Sequence, residues 1–142
     1  MAAIVVGTDG SQTATRAVAV AARVSRAFGG SLHLVHGYRS PGSGGAGTGG
    51  GDNPMAAVWL HASQAILDEA AADPLLEGLS VECHSVPGGP AEAVVAVARD
   101  VHADLIVVGN RGMHGRTPGG PEPVPETVAR TAPCHVLIAK TT

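Results

Sequence analysis

The run Leu105-Ile106-Val107-Val108 constrains the fold of this chain most. All four residues are apolar, three are β-branched, and the run stops at Gly109. A strand with one wet face alternates apolar and polar side chains, whereas a strand that is apolar at every position is buried on both faces. That is the signature of a parallel sheet covered by helices on each side. In such a sheet, ligands sit beyond the carboxyl ends of the strands, where the strand order reverses. Glycines at that point let the backbone approach a phosphate and aim N–H groups at it. The loop Gly109-Asn110-Arg111-Gly112 is therefore the first candidate for a ligand site.

The rest of the chain alternates strand and helix patterns. Ala3 to Val6 is an apolar run that ends in Gly7-Thr8-Asp9-Gly10-Ser11, a first strand and its turn, with Ser11 set to cap a helix. From Gln12 to Phe28, residues Ala17, Val20, Ala21, Val24 and Phe28 recur at helical spacing, while Arg16, Arg23 and Arg26 look outward. Gly29-Gly30 ends that helix, and Ser31 to His36 forms a second strand. Arg39 to Asp52 is half glycine and reads as a flexible loop. It lacks the Gly-Lys-Ser/Thr of a P-loop.

Asn53-Pro54 opens a second helix that runs to about Ala72. Val81 to Val86 alternates and so belongs at a sheet edge. Gly88-Gly89-Pro90 turns into a third helix with Ala91, Val94, Val95 and Ala98 on its buried stripe. Val124 to Thr131 is a short helix, broken at Ala132-Pro133, and Cys134 to Ala139 is a fifth strand. The expected architecture is one α/β domain over residues 1–142, with a doubly wound, five-stranded parallel sheet and helices on both faces.

Composition narrows the functional classes. The chain is 44% hydrophobic but only 2% aromatic, so its core is built from Val, Leu, Ile and Ala. The net charge is −3 and no basic run occurs, which argues against a nucleic-acid partner. The apolar runs are too short to span a bilayer, and Met1 leads straight into a strand without a signal-peptide pattern. A cytoplasmic protein is expected, with Cys83 and Cys134 as buried free thiols. No metal site is expected: His33 and His36 are three apart on a strand and face opposite sides. No catalytic set is evident either, since Gly-X-Ser-X-Gly and paired carboxylates at strand ends are missing.

Several motifs in this order resemble the universal stress protein family. They are Ile4-Val5-Val6-Gly7-Thr8-Asp9-Gly10-Ser11, Leu34-Val35-His36, Pro87-Gly88-Gly89-Pro90, Ala103 to Gly112, and Val124 to Ile138. The resemblance implies an adenine nucleotide alpha hydrolase-like fold with strand order 3-2-1-4-5. It also implies a homodimer through the strand at residues 134–139, and that strand is an apolar edge with no charge or proline to blunt it. The further protein partner of such a dimer is not named by the sequence.

Nucleotide-binding members of that family carry Gly, two residues, Gly, nine residues, then Gly and Ser or Thr. Gly109 and Gly112 match the first pair, but Glu122-Pro123 stands where Gly-Ser would be. Pro123 has no N–H, and Glu122 would set a carboxylate beside the phosphates. Arg111, His114 and Arg116 could still attract an anion. The candidate nucleotide site, for ATP or AMP, is thus Asp9, Gly37, Gly109, Arg111, Gly112 and Val124. Asp9 either accepts from an adenine amino group or ribose hydroxyl, or only caps its own turn. Two readings follow. In the first, which the replaced pair favours, the protein is a regulatory or interaction dimer in stress response that binds no nucleotide. In the second it is an adenine-nucleotide-binding stress protein with slow hydrolysis.

Overall fold

A computed structural model describes residues 2–39, 54–111, 113 and 120–142. Its elements follow the order β1 (Ala3–Gly7), α1 (Gln12–Phe28), β2 (Ser31–Tyr38), α2 (Pro54–Ala71), a 3-10 turn (Pro74–Leu76), β3 (Ser80–Pro87), α3 (Pro90–Asp100), β4 (Leu105–Gly109), α4 (Val124–Thr131) and β5 (His135–Ala139). The glycine-rich loop at 39–52 falls, apart from Arg39, outside the described residues, as does the Asn53 helix cap.

The five strands are all parallel and lie in the order β3-β2-β1-β4-β5. β1 and β4 are central, so their side chains alternate between two buried layers. Ile4, Val6 and Val107 face α1 and α2 together with Leu32, Leu34 and Leu67. Val5, Ile106 and Val108 face α3 and α4 together with Val35, Val94 and Val128. β3 and β5 form the edges, in line with the alternation of β3.

Local chemistry fixes the ends of the first helix. The Ser11 hydroxyl accepts from the Ala14 N–H at 3.2 Å, which satisfies one of the unpaired donors of α1. Gly29 closes α1 at φ 61°, a left-handed conformation that costs glycine nothing.

Three expectations need correction. Phe28 does not join the stripe: it is 70% exposed, and the buried positions of α1 are Ala17, Val18, Ala21, Ala22 and Ser25. Ala17 and Ala21 of the expected stripe are buried, and Val20 and Val24 are partly buried against the same core, so only its last member departs from it. Cys83 is exposed rather than buried, because it sits on the edge strand with only α2 beside it; its thiol donates weakly to the Leu67 carbonyl at 3.9 Å. Cys134 is half-buried in the turn before β5, which begins one residue later than expected.

Candidate functional site

The strand order reverses between β1 and β4, and a cleft of about 510 Å³ opens at their carboxyl ends. Gly7 and Thr8 form its floor beside Gly109. Val35, Val94 and Val108 supply an apolar wall, and among the described residues Asp9 and Arg111 are its charged groups. Val124 and Pro125 bring the first turn of α4 to the rim. Asp9, Gly37, Gly109, Arg111 and Val124 therefore meet in one cleft, while Gly112, His114 and Arg116 lie outside the described residues.

Asp9 is positioned by its own turn. Its Oδ1 accepts from the Ser11 N–H at 2.9 Å, and the Thr8 hydroxyl accepts from Gly10 N–H at 3.1 Å. Burial works to raise the Asp9 pKa, but hydrogen bonds from Ser11, its own amide and the Arg111 charge outweigh it and hold the carboxyl below its ordinary value. The cleft thus carries a fixed negative charge on the β1 side and a guanidinium on the β4 side. Asp9 serves as a turn cap, and it also lines the cleft.

Glu122 departs from the picture of a carboxylate beside the phosphates. It pairs with Arg130, eight residues on in the last turn of α4, with Oε2 to Nη2 at 2.7 Å and Oε1 to Nε at 3.4 Å. Its side chain is not among those that line the cleft. α4 starts at Val124 behind Pro123, whose side chain makes no cap hydrogen bond, and its first turn faces the cleft.

Sequence reasoning missed the C-terminal residues. Asn110 Oδ1 accepts from Thr141 N–H at 2.8 Å and from the Thr142 N–H at 3.2 Å. Arg16 adds a bond from Nη1 to the Thr141 carbonyl at 2.8 Å. Thr141 is buried by this and joins the cleft wall beside Gly109. The only signal in the sequence was an amide residue between the two glycines of the loop.

His36 was also missed as a wall residue. Its Nδ1 shares a hydrogen bond of 2.7 Å with Ser63 Oγ on α2, which in turn bonds Ser85 Oγ at 2.9 Å. Burial lowers the His36 pKa, against a smaller upward pull from Asp9. His33 is lowered as well, by burial and by His84, against Glu82. An unfolded chain would bind protons at these residues near the ordinary histidine value of 6.5, before the folded protein does. Stability should therefore rise with pH up to about 6.5 and fall as the pH drops below it. Scanning calorimetry at pH 7.5 and about 5.5 checks the sign, and His36→Gln should flatten the slope; an unchanged melting temperature across that window would contradict it.

Comparison with known proteins places this architecture. The universal stress protein family matches residues 1–140. The chain is 32% identical to universal stress protein Rv1636 of Mycobacterium tuberculosis, over 98% of this chain and 96% of the relative. A solved universal stress protein in complex with cAMP superposes with a TM-score of 0.82 at 32% identity, covering 99% of this chain and 98% of that one. A universal stress protein from Archaeoglobus fulgidus superposes with a TM-score of 0.67 at 25% identity, covering 97% and 93%. The chain belongs to the universal stress protein family.

Proposed function

We propose that the switch-point cleft binds an adenine nucleotide with a single phosphate, cyclic AMP foremost, and that the protein is a nucleotide-responsive regulatory dimer of the cytoplasm. The observation that carries this is the Glu122–Arg130 pair, which draws the carboxylate expected to repel phosphate onto the outer face of α4. The cleft volume of about 510 Å³ lies within the roughly 300–1,000 Å³ of small-molecule sites. Val35, Val94 and Val108 offer apolar surface to a base. Asp9 offers an acceptor to an amino or hydroxyl group, and Arg111 offers a positive charge to an anion.

A triphosphate asks for more donors than this loop supplies, because Pro123 has no N–H and a glutamate replaces the family glycine. A cyclic phosphodiester carries one charge and asks for fewer. The relative solved with cAMP supports the same choice. The dimer reading rests on β5, an edge strand whose Ile138 is 39% exposed. An exposed unpaired thiol at Cys83 suits a reducing compartment.

Calorimetric titration with cyclic AMP, and separately with ATP and magnesium, tests the reading. Cyclic AMP should bind and ATP should bind more weakly. Asp9→Ala should cost about tenfold or more, the loss of one hydrogen bond to a charged group. Light scattering on the same sample should give the mass of two chains. No heat with either nucleotide would overturn this reading and leave a regulatory dimer without nucleotide.

A further inference from the structure

A second group of side chains lies outside the cleft, on the outer strands of the sheet. β2 and β3 run in a register that sets His33 beside Glu82 and Val35 beside His84. Residues two apart on a strand share a face, so Glu82 and His84 both flank His33 on the α3 side of the sheet. His33 Nδ1 lies 3.0 Å from His84 Nε2 and 3.4 Å from Glu82 Oε2. The three ligand atoms all fall within 4.8 Å of one another.

We infer that His33, Glu82 and His84 form a binding site for a first-row divalent transition metal ion, zinc foremost. Two imidazoles and a carboxylate are a ligand set for zinc and its neighbours, not for magnesium or calcium, which take oxygen. Bonds of about 2.0–2.1 Å around a tetrahedral zinc ion set ligand atoms about 3.3 Å apart, close to the 3.0 and 3.4 Å separations found here. The other ring nitrogen of His33, Nε2, lies 3.2 Å from the Ser31 hydroxyl. A proton on Nε2 donated to that hydroxyl leaves the Nδ1 lone pair aimed at Glu82 and His84, the outer-shell arrangement that orients metal-binding histidines.

α3 packs chiefly over β1 and β2 and only lightly on β3, and the Glu82 side chain is 67% exposed. An ion therefore has a route in from solvent, and a fourth position remains for water. The site lies toward the start of β2, whereas the cleft takes Val35, His36 and Gly37 from its later half. Zinc here would tie the edge strand to its neighbour without entering the nucleotide cleft.

The test is calorimetric titration of the chelator-treated full chain with zinc chloride, with thermal unfolding in parallel. One zinc per chain should bind and raise the melting temperature, as any ligand of the folded state does. His84→Ala should abolish both effects and Glu82→Gln should weaken binding at least tenfold. Cys83→Ser should keep both, because that thiol points to α2 on the other face. Circular dichroism checks that each variant is folded, and the exposed Glu82→Gln keeps the test alive if His84→Ala is not. No zinc binding, or binding that survives both His84→Ala and Glu82→Gln, would overturn the inference.

Discussion

Replacing Ile106 with alanine should cost the fold about 2–5 kcal/mol, toward the upper half of that range. Ile106, the second residue of β4, is fully buried between Val5 of β1 and Val136 of β5, under α3 and α4. The cost has two parts: the lost transfer of three carbons out of water, and the cavity left behind. The second part is large here because the surrounding residues are mostly alanine and valine, such as Ala91, Val94, Ala98 and Val128. Short, branched side chains have few rotamers with which to fill a gap. Urea unfolding at equilibrium measures the loss as a lower midpoint at unchanged slope. Val58→Ala is the control: Val58 is 54% exposed on α2, and alanine's helix propensity should make that change neutral or slightly stabilising. A cost for Ile106→Ala no larger than that of the control would mean that the two helices close over the gap.

The same layer explains how much of the fold could be read in advance. Leu105 to Val108 is apolar throughout, and that alone sets a central strand of a covered parallel sheet. The limits of α1 and α4 were legible because Ser11, Gly29 and Ala132-Pro133 are strong local signals. Phe28 continues the spacing of the stripe yet is 70% exposed, because helical spacing does not tell how far along a helix the core extends. Within the cleft, Asp9, Gly109 and Arg111 were legible as residues at strand ends, where the topology sends ligands.

What stayed hidden depends on long-range geometry. Glu122 was read by its place in a motif, but Arg130, eight residues on, decides where its carboxylate goes. Thr141 enters the wall only because Asn110 and Arg16 hold the chain end against β4. The pairing of His33 with Glu82 and His84 requires the β2–β3 register, which no spacing within a single strand reveals. Considering His33 and His36 as a pair on one strand was sound, since they do face opposite layers, but it left out the neighbouring strand.

Gly37→Val should damage both stability and the cleft, and it ties the two together. Gly37 lies near the end of β2 in register with Val86 of β3. A Cβ built on it would come within 2.8 Å of the Gly89 carbonyl oxygen and 2.9 Å of the Gly88 oxygen. Both are backbone atoms of the turn into α3, so no side-chain rotation relieves the clash. The turn is itself held, since Gly88 N–H donates to the Tyr38 carbonyl at 2.9 Å and Ala93 N–H to the Gly89 carbonyl at 3.0 Å. Either β2 bends or the turn moves outward and takes the start of α3 with it. Overpacking of this kind costs about 1–3 kcal/mol, or roughly 3–12 °C in melting temperature for a chain of this size. The shift displaces Pro90 and Val94, which wall the cleft, so on the proposed function cyclic AMP affinity should fall more than the stability loss alone accounts for. Gly37→Ala should show a smaller version of both effects, because the first carbon is already in contact and the valine methyls add to it. Thermal unfolding and calorimetric titration on the two variants read the two effects separately. A valine variant as stable as the parent would mean that the β2 end and the α3 turn are further apart than 2.8 Å implies. Stability lost with nucleotide affinity intact would mean instead that the α3 side of the cleft does not touch the ligand.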